Sequence, residues 1–194
     1  MADSLEKDNT DIIINTKNWL EEFVIGLSLC PFAKSPFENG RVRIVESSSN
    51  LIDKWAETFI EECNAIVQKD IKSLSTTLIV FPYGLEDFYF FLDILETFQE
   101  MLEKSQLDDT IQLASFHPHY QFEGVEVDDV RNYTNRSPYP IIHLLRVIEV
   151  ENAIVHHGNT DEIPIRNQSL MQKIGKRKII NKYLLKYEKR KNSE

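Results

Sequence analysis

The histidines of this sequence are gathered in one stretch of the chain, where they could transfer protons or hold a metal ion. All five lie between His117 and His157, and residues 115–120 read Ser-Phe-His-Pro-His-Tyr. An H-x-H pattern on extended backbone sends both imidazoles to one side, which suits a divalent metal. His117 and His119 are therefore candidate metal ligands, and His117 is also a candidate general acid or base. Because Pro118 separates them, the alternative is one hydrogen-bonded and one exposed histidine.

A second group, at residues 131–140, reads Arg-Asn-Tyr-Thr-Asn-Arg-Ser-Pro-Tyr-Pro and has the composition of an anion site. Ser137 followed by Pro138 favours the start of a helix, with serine as N-cap and proline at the first helical position. Free backbone N–H groups there, flanked by guanidinium groups, would bind a phosphate or carboxylate. Alternatively, the arginine and asparagine side chains bond backbone carbonyls and hold a long loop together. The candidate anion-binding residues are Arg131, Asn135, Arg136, Ser137 and Arg146.

The residues that follow this group predict a helix from about Tyr139 to His156. The apolar side chains of this helix share one face, whereas His143 and Arg146 point roughly to the opposite side. Such a pair lies either in solvent or along a cleft beneath the long loop 117–137. His143 is therefore a further candidate catalytic residue.

Cys30 is the third candidate, as a nucleophile or as a metal ligand. It continues the apolar helix face of Trp19, Phe23 and Leu27, so a small buried hydrophobic side chain is the alternative. Its place at the end of a helix disfavours the thiolate, because the helix dipole is negative there. A Cys-Pro pair such as Cys30-Pro31 can also ligate haem through the thiolate. The second cysteine, Cys63, lies in a predicted core stripe.

Alternating strand and helix patterns must position these side chains. The predicted strands are residues 41–45, 76–81 and 110–116, and the predicted helices are residues 16–29, 52–66, 88–102, 139–156 and a last one from about residue 164. This order predicts an α/β fold with one domain, with three or more strands alternating with helices and with C-terminal helices. In open α/β sheets ligands bind at the carboxyl ends of strands, and residues 117–120 follow the third predicted strand.

The size and charge of the chain set limits on its class. With 194 residues it is expected to form one domain, at residues 16–175, with a disordered or frayed N-terminus at 1–15 and a basic helix or tail at 176–194. Residues 1–171 carry 13 Lys and Arg against 29 Asp and Glu, whereas residues 172–194 carry 9 against 2. Because the acidic body repels phosphate backbones, nucleic-acid binding by the domain is not expected.

Several familiar signatures are absent from the sequence. It has no paired G-x-G, no Walker-type lysine loop and no C-x-x-C, H-E-x-x-H or G-x-S-x-G, so no nucleotide fingerprint indicates a cofactor. No run of 18 apolar residues predicts a membrane span, and the polar N-terminus does not resemble an export signal. Two cysteines without such a signal favour a cytoplasmic location.

Longer motifs resemble a known family. Residues 24–33 read Val-Ile-Gly-Leu-Ser-Leu-Cys-Pro-Phe-Ala, and residues 76–82, 112–120, 132–140 and 143–146 carry further matches. Over about residues 16–175 the chain resembles a mostly bacterial family catalogued as domain of unknown function 1415. The resemblance supplies no reaction, but it implies that the Cys-Pro-Phe, Ser-Phe-His-Pro and Asn-Arg-Ser-Pro segments are family hallmarks. The position of His119 is often Asp in that family, which favours His117 and His143 as site residues.

Three hypotheses follow from the sequence. The leading one is an α/β enzyme that acts on a small anionic metabolite, with His117 as acid, base or metal ligand and Arg136 in the anion site. The second is a non-catalytic metal- or haem-binding protein that uses Cys30 with histidines. The third is an interaction protein whose basic tail docks on an acidic partner.

Overall fold

The structure, a computed structural model, describes residues 2–157 and 160–184 and is built around a four-stranded sheet. Its strands are β1 (Val42–Glu46), β2 (Thr76–Val80), β3 (Ile111–Phe116) and β4 (Ile141–Arg146). The order across the sheet is β1-β2-β4-β3, with β1 parallel to β2 and with β4 antiparallel to both of its neighbours. The predicted α/β fold is confirmed, with a mixed sheet.

Helices connect and cover these strands. In chain order they are α1 (Ala2–Trp19), α2 (Lys34–Glu38), α3 (Ile52–Gln68), α4 (Phe88–Lys104), α5 (Val147–His157), α6 (Glu162–Ile174) and α7 (Lys176–Ile179). Two π-helical segments, Leu20–Ile25 and Ile180–Leu184, and a 3₁₀ helix, Val130–Asn135, complete the elements. Within the described ranges, no helix has both the length and the apolar character needed to cross a bilayer.

The two faces of the sheet are covered by different elements. On one face, which we call the α3/α4 face, Ile79, Ile142 and Leu144 pack against the apolar sides of α3 and α4. On the other, the α1 face, Leu78 and Ile141 pack against the end of α1, the π-helical segment that follows it, and α6 and α7. Alternation along each strand therefore divides the core into two clusters.

The predicted helix from Tyr139 to His156 is wrong, because its first half is strand β4 and only residues 147–157 are helical. Ile141, Ile142 and Leu144 are all buried, since β4 lies inside the sheet and is covered on both faces. A strand buried on both faces has a nearly continuous apolar run, and its spacing imitates one face of a helix.

Packed side chains extend beyond residues 16–175. Ile12 and Asn15 of α1 are buried, and so are Ile179 and Tyr183 near the other end. The first part of the predicted basic tail is thus helical and packs against the α1 face. Residues 185–194 of that tail lie outside the described residues.

Candidate functional site

A cavity of about 780 Å³ lies against the α1 face of the sheet. Its walls come from the chain between residues 19 and 36, from the α1 face of the sheet, and from α5. The apolar lining includes Trp19, Leu20, Val24, Phe32, Leu78, Phe116, Leu145 and Val150. The polar lining is Cys30, Arg41, Ser75, Thr76, Gln112, His143, Arg146, Glu149 and His156, with Ser35 and Asn152. Cavities of roughly 300–1,000 Å³ with apolar walls and a few polar groups are typical small-molecule sites.

His143 lines this cavity from β4 and forms one hydrogen bond whose direction can be assigned. Its Nε2 lies 2.6 Å from the Thr76 hydroxyl oxygen, which itself donates to the Leu144 carbonyl at 2.5 Å. A hydroxyl has one hydrogen, so Thr76 must accept from the ring and Nε2 carries the proton. In the neutral ring, Nδ1 is then an acceptor, and no described side chain or backbone group is seen to donate to it.

Burial holds the His143 ring in this neutral form. Removal from water penalises the imidazolium and lowers the pKa of His143 from its ordinary 6.5 to about 4. At neutral pH His143 is therefore an uncharged acceptor, suited to a ligand O–H or N–H or to a metal ion.

An ion pair joins α5 to the sheet at the polar end of the cavity. Arg41 Nη1 donates to Glu149 Oε1 at 2.9 Å and to the Ile71 carbonyl oxygen at 3.2 Å. The other carboxylate oxygen of Glu149 accepts from the Ser75 hydroxyl. Glu149 supplies the counter-charge that a partly buried arginine needs, and the pair links the start of α5 to the residues before β1 and β2.

Arg146 supplies a second guanidinium at the same end. Its Nε donates to the Leu74 carbonyl oxygen at 2.9 Å and its Nη2 to the Lys69 carbonyl oxygen at 2.7 Å. Neither partner is charged, so the positive charge of Arg146 is not neutralised by a carboxylate in the described hydrogen bonds and ion pairs. Its Nη1 group takes part in none of the described hydrogen bonds.

Cys30 lines the cavity from the opposite side, after the first π-helical segment. Its thiol is partly buried, and burial raises the pKa of Cys30, while the backbone N–H groups of Phe32 and Ala33 act in the lowering direction. The raised pKa leaves a protonated thiol at neutral pH, so Cys30 is not an activated nucleophile in this state.

His117 lies elsewhere, between the end of β3 and the α4 helix. Its Nε2 lies 2.9 Å from the Leu85 carbonyl oxygen and its Nδ1 accepts the backbone N–H of His119 at 3.0 Å. The ring is fully buried against Phe88 and Phe91, and burial lowers the pKa of His117 to about 4. Both nitrogens are engaged, which describes a structural histidine.

The predicted anion group is engaged in holding its own loop. Arg131 forms an ion pair with Asp129 at 2.7 Å, and Arg136 donates to the carbonyl oxygens of Tyr120 and Val127. Asn135 donates to the Ser115 carbonyl oxygen and Ser137 to that of Tyr139. The predicted helix N-terminus at Ser137 and Pro138 is wrong. No helix begins at Pro138, and the chain enters strand β4 instead.

The metal candidates do not come together. Cys30 lies in the cavity on the α1 face, whereas His117 packs with Phe88 and Phe91 of the α3/α4 face and His119 adjoins it. Among the described residues no group of three His, Cys, Asp or Glu side chains could hold a metal ion.

Sequence reasoning selected Cys30, His143 and Arg146, which line one cavity, and missed the groups that accompany them. Those are Arg41, Ser75, Thr76, Gln112 and Glu149. They belong to four separate segments, and each is an ordinary residue within its own segment. Strand β4 assembles them, because Leu145 pairs with Thr76 on one side and with Gln112 on the other. This pairing could not be predicted, since the sequence pattern predicts a helix in place of β4.

Comparison with known proteins gives a family and no chemistry. A family model described as protein of unknown function (DUF1415) matches residues 11–181. No curated protein matches the chain, and no solved structure matches it.

Proposed function

The chain belongs to the DUF1415 family, and from the geometry of its cavity we propose that it binds a small molecule with an apolar body and an acid group. The cavity itself carries the proposal: about 780 Å³ with apolar walls, and with Arg41, Glu149 and Arg146 all bonded to the segment of residues 69–75 at its edge. Apolar walls supply binding energy by excluding water from the ligand, and a few polar groups orient it.

The charges at the polar end favour an anion. The cavity is lined by the guanidinium groups of Arg41 and Arg146 and by the carboxylate of Glu149. The Arg41–Glu149 pair is neutral as a unit, which leaves the charge of Arg146 in excess. A carboxylate or phosphate bound beside Arg146 would supply the counter-charge, and a planar guanidinium can hold it through two N–H groups.

His143 gives this binding site its chemistry. A base with a pKa near 4 accepts few protons at neutral pH, so His143 by itself is a weak general base. An anion bound in the same cavity would stabilise the imidazolium and raise the pKa of His143. The ligand would thereby turn His143 into a proton acceptor, which is how the site would support an enzymatic reaction.

The test is a ligand series measured by thermal unfolding. Straight-chain and aryl carboxylic acids of increasing length are compared with the alcohols of the same carbon skeleton. Acids should raise the melting temperature more than alcohols, with an optimum length, because a ligand that binds only the folded state stabilises it by mass action. The NMR titration of His143 should move to higher pH when the best acid is bound.

Matched variants locate the binding. Ala153 lines the cavity on α5, and Ala153→Phe should fill it and abolish the stabilisation, whereas Val155→Phe, on the exposed side of the same helix, should not. Arg146→Gln should remove the preference for acids over alcohols, and Arg146→Lys should retain most of it. Stabilisation that is unchanged in Ala153→Phe would contradict the proposal.

A further inference from the structure

His143 brings one hydrogen-bond acceptor, its ring atom Nδ1, to the cavity. Because the Thr76 hydroxyl donates its single hydrogen to the Leu144 carbonyl oxygen, it accepts from Nε2, and Nδ1 of the neutral ring carries a lone pair. No donor to Nδ1 occurs among the described hydrogen bonds. Resting on the proposed function, which it deepens, we propose that the ligand is a hydroxy acid whose hydroxyl group donates to Nδ1 of His143.

The neighbours of His143 on the sheet do not supply this donor. The residue pairs with Leu78 on β2 and with Ala114 on β3, and the centroid of the Phe116 ring lies 6.3 Å from that of the imidazole. All three neighbours line the cavity, and none of their side chains has an N–H or O–H group. A polar atom among apolar groups costs free energy until it has a partner, so the cavity favours a ligand that donates at this place.

The chemistry of the position favours a hydroxyl group over other substituents. An ammonium group would bring a charge into surroundings whose burial already lowers the pKa of His143 to about 4. A hydroxyl group donates a hydrogen bond without adding a charge. A keto group has no hydrogen to donate and would place its oxygen against the lone pair of Nδ1. The site should therefore prefer hydroxy acids to amino acids and keto acids of the same carbon skeleton.

One small molecule can reach both His143 and Arg146, the residue proposed to bind the acid. Arg146 Nε donates to the Leu74 carbonyl oxygen at 2.9 Å, and the His143 ring lies 2.6 Å from the Thr76 hydroxyl oxygen. Leu74 and Thr76 are two residues apart, which is at most about 7 Å along the chain. Both His143 and Arg146 also line the same cavity. The two ends of a small hydroxy acid can thus be bound at once.

Thr76 is the positioning residue for this contact. Its hydroxyl fixes which ring nitrogen of His143 carries the proton, and it thereby makes Nδ1 the acceptor. The next residue, Thr77, is a matched control on the same strand. Alternation along β2 turns its side chain to the other face of the sheet, and its buried hydroxyl has no hydrogen-bond partner in the described part of the chain.

The first test is calorimetric titration of the full-length chain with ligands of one carbon skeleton. The unsubstituted carboxylic acid is compared with hydroxy acids that carry the hydroxyl at successive carbons, and with the matching keto acids and amino acids. We expect one hydroxy acid to bind about ten-fold more tightly than the unsubstituted acid, the effect of one added hydrogen bond. It should also bind more tightly than its keto and amino analogues. Equal binding of hydroxy and keto acids, or tightest binding of an amino acid, would overturn the inference and leave the proposed acid site in place.

The second test is NMR of the protein with nitrogen-labelled histidine, which reports the tautomer of His143. The signal is assigned by its loss in His143→Gln, and the proton is expected on Nε2. Thr76→Val should shift the proton toward Nδ1 and abolish the preference for the hydroxy acid, whereas Thr76→Ser and Thr77→Val should keep both properties. A proton on Nδ1 in the free protein, or an undiminished preference in Thr76→Val, would overturn the inference. If no acid binds at all, the proposed function fails and this inference fails with it.

Discussion

The two faces of the sheet show how the regularity of the covering elements decides between a filled core and a cavity. On the α3/α4 face two helices of 17 residues each lie on the strands, and Phe59 and Phe98 stack with ring centroids 4.3 Å apart. On the α1 face α6 and α7 cover one part, and around the cavity the cover consists of the end of α1, a π-helical segment, the five-residue α2 and α5. Regular helices with an uninterrupted apolar stripe fill the first face, and short irregular pieces leave space on the second.

His117, which is fully buried, and His143, which is half-buried, show the same contrast. Burial lowers the pKa of both His117 and His143 to about 4. His117 has partners for both ring nitrogens, whereas the described partner of His143 occupies only Nε2. A lowered pKa alone therefore does not distinguish the two histidines, and the Nδ1 atom beside the cavity is what makes His143 the candidate of the two.

The largest difference between the faces is expected for deletions of large side chains. Phe98→Ala should lower the free energy of unfolding by about 3–5 kcal/mol, because it opens a cavity in a filled core. Leu145→Ala should cost only about 1–2 kcal/mol, since Leu145 already borders open space. Urea unfolding of both variants measures the two values. Equal losses would show that the α1 face is filled in solution.

The second expected effect is a different loss of stability when each of the two histidines is substituted. His117→Ala should cost about 2–4 kcal/mol, because it leaves the buried Leu85 carbonyl without a partner and also removes the bond from the His119 N–H. His143→Ala should cost about 1 kcal/mol, the value of one hydrogen bond. His117→Phe keeps the ring volume and separates lost packing from lost hydrogen bonds. A larger loss for His143→Ala than for His117→Ala would reverse the assignment.

The last expected effect is the pH dependence of stability. Because the folded pKa of His143 lies near 4, below the ordinary 6.5, the unfolded chain binds a proton first as the pH falls. Stability is present above pH 6.5 and is lost as the pH falls toward 4. We expect His143→Gln to reduce the loss between pH 7 and pH 5 by about 2 kcal/mol, as measured by urea unfolding at both pH values. An unchanged pH dependence would mean that His143 titrates normally.

The sequence predicted the parts of the fold whose apolar spacing has one interpretation. The stripe of α4 repeats at helical intervals through Phe91, Phe98 and Leu102, and residues 76–80 are short and rich in β-branched side chains. Strand β4 was mistaken for a helix because Ile141, Ile142 and Leu144 serve both faces of the sheet at once. Periodicity does not separate a strand buried on both sides from a helix of the same composition.

The site was harder to predict because polar residues that are close together in the sequence do not all lie close together in the fold. His117 and Arg136 lie in the segment richest in polar groups, and both bond the loop to which they belong. Cys30 and His143 are far apart in the chain, and the fold brings both to the lining of one cavity. Only the pairing of β4 with β2 places Thr76 beside His143.

The position of β4 also decides when the sheet can close during synthesis. Because β4 lies between β2 and β3, those two strands form no hydrogen bonds with each other and can join one sheet only after residues 141–146 have been synthesised. Until then β2 offers one edge with the apolar run Leu78, Ile79 and Val80 to any other extended chain. A nascent or truncated chain that ends before residue 141 is therefore expected to be captured by chaperones or to aggregate. The antiparallel strand that completes the cavity is thus also the one that protects the chain from self-association.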